Sequence, residues 1–157
     1  MKMLMLASIA LLQAGASPAM AAMTAKQVVE KEIVSRAANG AETVKRVAAD
    51  KVTPGETVIY SIKYSNDSAE SASDIVLVMP VPKEVSYVEG SVSGDDTSVA
   101  FSADGGKTYV ARGRLTVEEG GAQRPARGDE ITHIRWTLSQ PVPPKGEGEV
   151  SYKAILR

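Results

Sequence analysis

Val52-Thr53-Pro54-Gly55-Glu56-Thr57-Val58-Ile59-Tyr60-Ser61-Ile62-Lys63-Tyr64-Ser65-Asn66 opens on a Pro-Gly turn and then alternates. Val58, Tyr60, Ile62 and Tyr64 fall on one face, while Thr57, Ser61, Lys63 and Ser65 fall mostly on the other. Successive side chains of a strand point to opposite faces, so a period of two predicts a half-buried β-strand. Asn66 tolerates turn geometry and closes it. No catalytic group lies in the stretch, which speaks to architecture and leaves activity open.

Upstream of it, Lys2 supplies a positive n-region, Met3 to Leu12 an apolar h-region, and Ala19-Met20-Ala21 a small-residue cleavage motif. This three-part pattern predicts an export signal over residues 1–21, cut after Ala21 or after the neighbouring Ala22. The apolar run is shorter than the ~20 residues a spanning helix needs, and no later stretch reaches that length. No Cys stands at the cleavage site, which argues against a lipoprotein. The expected location is therefore exported, either periplasmic or at the cell surface, with no transmembrane segment once the signal is removed.

From Thr24 to Ala49 two readings compete. Thr24 can cap a helix running to Asn39-Gly40, with Lys26, Glu30 and Lys31 as helix formers. Against it, Val28-Val29 and Ile33-Val34 are β-branched and Asn39-Gly40 is a two-residue hairpin signal. We favour two strands, over residues 22–49, packed on a domain that spans residues 50–157. Val28 to Ala37, on the far side of that hairpin from the core, is expected to be an edge strand able to pair in trans.

Downstream, Asp67 to Ser73 reads as a polar loop and Asp74-Ile75-Val76-Leu77-Val78-Met79-Pro80 as a continuous apolar run. Its length and β-branching predict a strand covered on both faces in the middle of a sheet. Proline stops it, since it cannot donate to a ladder. Val85 to Glu89 is a short strand with Tyr87, closed by Gly90-Ser91. The Pro-Gly turn, the Tyr-bearing strand ending in Asn, the apolar run into proline and the Tyr-Val-x-Gly-Ser segment follow one another in order. In this order they resemble the bacterial DUF11 (conserved repeat) domain. Pro54, Gly55, Tyr60, Asn66, Ile75, Pro80, Tyr87, Gly90 and Ser91 carry the likeness. The resemblance implies an immunoglobulin-like β-sandwich of secreted and cell-surface proteins. That family commonly has an Asp shortly before the proline, where this chain reads Val78-Met79-Pro80, and nothing in its pattern is catalytic.

Ser102-x-Asp104-x-Gly106-x-Thr108-Tyr109 resembles the Asp-box hairpin of sialidase propellers. Asp104 can accept from turn amides, Gly105 and Gly106 supply positive φ, and Thr108 and Tyr109 begin a return strand. A single copy builds no propeller, so these five residues are read as a structural hairpin, without a catalytic, cofactor or metal role. Val110 to Val117 continues strand-like, and Glu118 to Asp129 reads as a charged loop in which Arg124 and Arg127 could hold an anion. Ile131 to Leu138 is a strand with Thr132, Ile134, Trp136 and Leu138 on one face, making Trp136 a core anchor. Pro141 to Gly148 is a stiff connector, and Glu149 to Arg157 the last strand.

Composition narrows the function. The chain of 157 residues holds no Cys, one His and a net charge of -1. Thiol chemistry, thiolate metal sites and disulfides are excluded, and a near-neutral balance gives no reason to invoke nucleic acid. His133 lacks a second His or an acid at characteristic spacing, and the Asp95-Asp96 pair is short of the six to eight oxygens that Ca²⁺ takes. The reading is an all-β, immunoglobulin-like antiparallel β-sandwich whose core combines Val58, Tyr60, Ile62, Ile75, Leu77, Phe101, Ile134, Trp136, Val150 and Tyr152. Its expected role is a non-enzymatic envelope module, without cofactors, acting on other envelope or surface proteins. The alternative is a small-ligand or carbohydrate-binding module. That role needs exposed aromatics, and aromatic residues are only 4% of the chain, mostly on predicted core faces. A hydrolase needs a nucleophile–base pair or paired carboxylates, for which the sequence offers only scattered acids.

Overall fold

The computed structural model describes residues 23–157; the expected export signal, residues 1–21, lies outside them. The strands are β1 (Met23–Arg36), β2 (Glu42–Ala48), β3 (Thr57–Asn66), β4 (Val76–Pro80), β5 (Val85–Tyr87), β6 (Thr97–Ser102), β7 (Thr116–Glu119), β8 (Ala122–Pro125), β9 (His133–Leu138) and β10 (Glu147–Leu156). Single 3-10 turns at Arg112–Arg114 and Gly128–Glu130 are the helical elements among the described residues. The structure is all-β and antiparallel. A five-stranded sheet runs β2-β1-β3-β10-β5, a three-stranded sheet runs β4-β9-β6, and β7-β8 is a separate ribbon.

The opening stretch lies at the centre of the larger sheet. Thr53, Pro54, Gly55 and Glu56 form a tight turn, with Glu56 N donating to Thr53 O at 3.0 Å and Gly55 at φ 92°. Proline second and a positive-φ glycine third are the requirements of a type II turn. β3 then pairs with β1 from Val58 to Asn66 on one side and with β10 from Thr57 to Ser65 on the other. Its inward residues meet β10 opposite them: Ile62 faces Val150 and Tyr60 faces Tyr152 across the register.

One apolar core joins the two sheets. Ile62, Val150, Tyr152, Ala154 and Tyr87 come from the larger sheet, and Leu77, Met79, Phe101, Ile134 and Trp136 from the smaller. Tyr60 and Tyr152 stack with ring centroids 5.1 Å apart, and Trp136 lies 6.5 Å beyond Tyr152. Offset aromatic pairs at such spacing contribute about 0.5–1.5 kcal/mol beyond area burial. Tyr152 also donates its hydroxyl to Pro80 O at 3.0 Å, tying the two sheets together. Burial raises its phenol well above the ordinary range, so it stays a neutral donor.

Asn66 does more than end β3. It is fully buried, and its Nδ2 donates to Glu70 O at 2.7 Å and Val142 O at 2.9 Å. Its Oδ1 accepts from Ser68 N and Ser68 Oγ at 3.1 and 2.7 Å. Every donor and acceptor of the amide is used, which is what burial of a polar side chain demands. The Asp67–Ser73 loop and the 141–146 connector are both fastened to this one residue.

The favoured reading of the 24–49 segment as two strands holds, and the competing helix capped at Thr24 does not form. Other sequence-based expectations are corrected. β1 is flanked on both sides only at Glu30 and Lys31: it pairs with β3 up to Lys31 and with β2 from Glu30 to Arg36. The expected edge is therefore kept over Glu32 to Arg36, and β2 forms the other edge of the ribbon. β4 is not in the middle of a sheet. It forms an edge of the smaller sheet, and Val76 and Val78 point outward at 51% and 44% exposure while Leu77 and Met79 are buried. The apolar run hid an ordinary alternation, because the outward residues are also valines. Val110 joins β6 through one isolated bridge to Phe101 before the chain turns at Arg112–Arg114, so no strand runs from Val110 to Val117. The charged Glu118–Asp129 loop contains the β7-β8 hairpin around Gly120-Gly121. Its strands are mostly polar, so no apolar period announces them. The expected core lacks Met79, Val85, Tyr87, Leu115 and Ile131, which are buried in it, while Tyr60 and Ile75 pack against it only partly buried and Val58 is buried outside it.

Trp136 is 0% exposed and its indole Nε1 has no hydrogen-bond partner among the described residues. Trp136→Ala is expected to cost roughly 3–5 kcal/mol as a cavity-forming change, read as a lower urea midpoint at unchanged slope. Trp136→Phe is expected to cost less, because it keeps a ring and removes a buried unpaired donor. An unchanged midpoint in Trp136→Ala contradicts the core placement. Asn66→Asp is expected to destabilise more than Asn66→Ala, since it sets a carboxylate against two carbonyls; equal urea midpoints contradict that reading.

Candidate functional site

The β1-β2 ribbon is largely exposed. Its turn follows from local chemistry. Ala37 N donates to Ala41 O at 2.8 Å, Gly40 N to Ala37 O at 2.9 Å, and Gly40 takes φ 82°. This is a three-residue loop, a type I turn closed by a left-handed glycine, with Asn39 Oδ1 accepting from Ala41 N at 3.1 Å. The two-residue turn expected at Asn39-Gly40 is not made, because only Gly40 of the pair has positive φ.

Hydrogen-bond parity fixes which way β2 presents its backbone. The bonds Ala37 N to Ala41 O and Ala49 N to Val29 O belong to odd-numbered pairs of the β1-β2 register. Antiparallel pairs alternate between bonded and non-bonded. The pairs Lys31–Val47, Ile33–Lys45 and Ser35–Thr43 are thus bonded, and the N–H and C=O groups of Glu42, Val44 and Arg46 point to the open side. Each residue from Glu42 to Arg46 is exposed, as are Ile33 at 45%, Val34 at 57% and Val44 at 56%. An open edge beside exposed β-branched residues is a template for another strand.

The base of the ribbon is bent over the outer face of the larger sheet. Ile59 and Ser61 point to that face, yet they are 1% and 0% exposed. Arg46 reaches Glu149 at 2.9 Å and Lys153 reaches Glu32 at 3.0 Å, spanning the ground between. Ser61 Oγ donates to the same Glu149 oxygen at 3.2 Å, and Lys31 Nζ to Lys51 O at 2.7 Å. Partly exposed ion pairs contribute about 0–1 kcal/mol each, so they orient the ribbon more than they hold it. Periodicity within β3 could not reveal this cover, which comes from a distant segment.

Ser102, Asp104, Gly106, Thr108 and Tyr109 come together after β6. Asp104 Oδ1 accepts from Lys107 N and Thr108 N at 3.0 Å each, and Asp104 Oδ2 from Thr108 Oγ1 at 2.6 Å. Ser102 Oγ donates to Asp104 Oδ1 at 2.7 Å and accepts from Gly106 N at 2.9 Å. Gly105 and Gly106 take φ 79° and 85°, open to glycine without strain. Tyr109 lies beneath the Arg135 guanidinium, 4.4 Å from ring centroid to Cζ. The Thr108 hydroxyl, the Ser102 hydroxyl and the turn amides hold the Asp104 carboxyl far below the ordinary carboxylate range.

Other candidates are occupied by their neighbours. Arg124 is pinned between Glu119 at 2.6 Å and Glu130 at 2.7 Å, and Arg127 bonds Glu130 at 3.0 Å, so neither is free to receive an anion. Arg124 and the Arg127 amide draw Glu130 down to about 2. His133 stands opposite Ser102 in the β6-β9 register, but its Nδ1 meets Thr132 Oγ1 at 3.2 Å. Ser102 Oγ is fully buried and committed to Asp104, so the two form no nucleophile–base pair. Among the described residues no three His, Cys, Asp or Glu side chains are grouped to hold a metal, Asp95 and Asp96 included. No helix of the described residues is long and apolar enough to cross a membrane. An open cleft of about 570 Å³ lies beside Tyr64, lined by Lys26, Lys63, Glu147 and Glu149. No family model, no curated protein and no solved structure matches this chain.

Sign and window follow for Asp104. A carboxyl depressed in the folded state stabilises above its unfolded value, about 3.9, and that contribution is lost as pH falls towards the folded value. Asp104→Asn keeps an acceptor but not the charge. The stability gap between wild type and Asp104→Asn is expected to be full above pH 5 and to narrow below about pH 4, measured by urea unfolding across pH. A gap independent of pH contradicts the hydrogen-bonded carboxylate.

Proposed function

We propose that this chain is an exported, non-enzymatic structural or interaction module of a bacterial cell envelope, acting through protein–protein contacts. Its architecture is read as an immunoglobulin-like sandwich of the DUF11 kind. That reading rests on the order of Pro54-Gly55, Tyr60, Asn66, Ile75, Pro80, Tyr87 and Gly90-Ser91 along the chain. The export step rests on the pattern of residues 1–21. The observation that carries the functional part is the open edge of β2, flanked by exposed Ile33, Val34 and Val44. Main-chain groups there supply strand pairing, and alternate side chains supply selectivity.

One specific feature favours a second reading, a carbohydrate or small-ligand module. Tyr64 is half-buried and borders the cleft with Lys26 and Glu149, an aromatic with polar groups around it. The remaining aromatics weaken this reading: Trp136, Tyr152, Tyr87 and Phe101 are buried, and the Tyr109 face is covered by Arg135.

A photo-crosslinking residue placed at Val44 of the full-length chain in growing cells distinguishes these readings. The expected result is a processed protein outside the cytoplasm, with adducts to envelope proteins at position 44 and none at the distant, exposed Lys107. A chain retained unprocessed in the cytoplasm contradicts export. Saturable glycan binding that Tyr64→Ala abolishes, without adducts at 44, favours the second reading.

A further inference from the structure

The β2 edge carries its own complement. We propose that β2 pairs antiparallel with β2 of a second copy of this chain, Val44 opposite Val44, joining the two ribbons into one four-stranded sheet. The inference rests on the reading of the chain as a protein-contact module and names its partner.

Backbone parity is the first argument. Glu42, Val44 and Arg46 direct their N–H and C=O groups outward, so an antiparallel copy can bond them only where even-numbered residues face even-numbered residues. With Val44 opposite Val44, Glu42 faces Arg46 of the second copy, and Arg46 faces its Glu42. All three outward donors and acceptors of each strand are then satisfied.

Charge selects this register among those parity allows. Within the chain, Arg36 stands opposite Glu42 and bonds it through Nε at 3.1 Å. Glu32 stands opposite Arg46, and these two also bond Lys153 at 3.0 Å and Glu149 at 2.9 Å, so in the paired state Arg46 is shared between Glu149 and Glu42 of the second copy. Across the joined sheet each outer row reads Arg36, Glu42, then Arg46 and Glu32 of the second copy, alternating in sign. The middle row is Val34, Val44, Val44, Val34, and the exposed valines of each copy cover one another. Opposite charges and β-branched pairs at facing positions each contribute about 0.2–1 kcal/mol. The neighbouring allowed register on one side sets Lys45 against Lys45 and Val44 against Arg46. On the other side it sets Val44 against Glu42, and the charge pairs are lost. On the opposite face of the preferred register Lys45 meets Thr43, so this edge lysine does not block pairing as a facing lysine does.

The contact is one strand wide, smaller than the about 1,200–2,000 Å² of standard stable interfaces, so association depends on concentration. The full-length gene product, purified as the cell processes it, is followed by sedimentation velocity over a concentration series. Wild type is expected to double in mass as concentration rises. Glu42→Arg and Arg46→Glu each place like charges opposite one another and are expected to stay monomeric. Their equimolar mixture restores both pairs and is expected to form a heterodimer. Near-ultraviolet circular dichroism checks that each variant is folded.

Val44→Cys supplies a second readout that does not depend on the charge variants folding. Facing bonded residues lie about 5.5 Å apart at Cα, within disulfide reach. Mild oxidation is expected to link Val44→Cys into dimers and to leave Thr43→Cys monomeric. A folded wild type that stays monomeric at all concentrations overturns the proposal, as does a mixture that fails to associate or linkage at Thr43→Cys alone. If self-association fails while position 44 still crosslinks to another envelope protein in cells, the pairing is wrong and the module reading stands. If both fail, both are wrong.

Discussion

The pairing of β3 with β10 is the constraint on which the rest of the molecule depends. It sets Tyr60 against Tyr152 and Ile62 against Val150, and the tyrosine stack continues to Trp136 of the facing sheet. Tyr152 then bonds Pro80 O at the end of β4, so one strand register fixes where the smaller sheet sits. A one-residue slip would turn every inward side chain outward, removing the stack, the core and the inter-sheet bond together. A chain without disulfides needs its sheets fixed by such packing, and the buried Asn66 fastens the loops at one end by the same logic of full satisfaction.

The outer face of the same two strands bears the base of the ribbon. Ile59 and Ser61 are buried there, and Arg46, Glu32, Glu149 and Lys153 bridge over them. Polar contacts of this kind set orientation, while burial of Ile59 supplies a hydrophobic contribution on the order of 1.5–3 kcal/mol. The consequence is an asymmetry. The root of the ribbon is part of the domain, and its tip offers a backbone edge and bare valines that nothing among the described residues covers. Perturbed carboxylates lie at Asp104 and Glu130 instead, where hydrogen bonds within turns and, at Glu130, the Arg124 guanidinium account for them. Such perturbation marks a fastened loop as readily as a reactive one.

Where the chain's period and its chemistry agreed, the fold was legible. The Val58–Tyr64 alternation, the inward Ile134 and Trp136, and the bonding of Asp104 all follow from residues adjacent in sequence. What was not legible came from elsewhere in the chain. Valine on both faces of β4 concealed its exposed side, since Val76 and Leu77 look alike to a hydrophobicity pattern. The β7-β8 hairpin has glutamates, glutamine and arginine where an apolar face is usually sought, and only Gly120-Gly121 signalled it. The ribbon was visible as a hairpin, but its order in the sheet depends on which strand β3 accepts as neighbour. That choice put the first half of β1 inside and β2 at the edge, keeping the expectation for Val28 to Ala37 only beyond Lys31, where β1 pairs with β2 alone. The edge itself has a weak local signature, because its meaning lies in the parity of hydrogen bonds.

On the proposed reading, function sits on a strip of main chain rather than in a pocket. Residue-resolved amide hydrogen exchange along β2 in dilute protein tests this most directly. Thr43, Lys45 and Val47, bonded to β1, should be protected, while Glu42, Val44 and Arg46 should exchange close to the rate of open backbone. Protection of both sets in the dilute chain would show that the edge is already covered and would contradict the account.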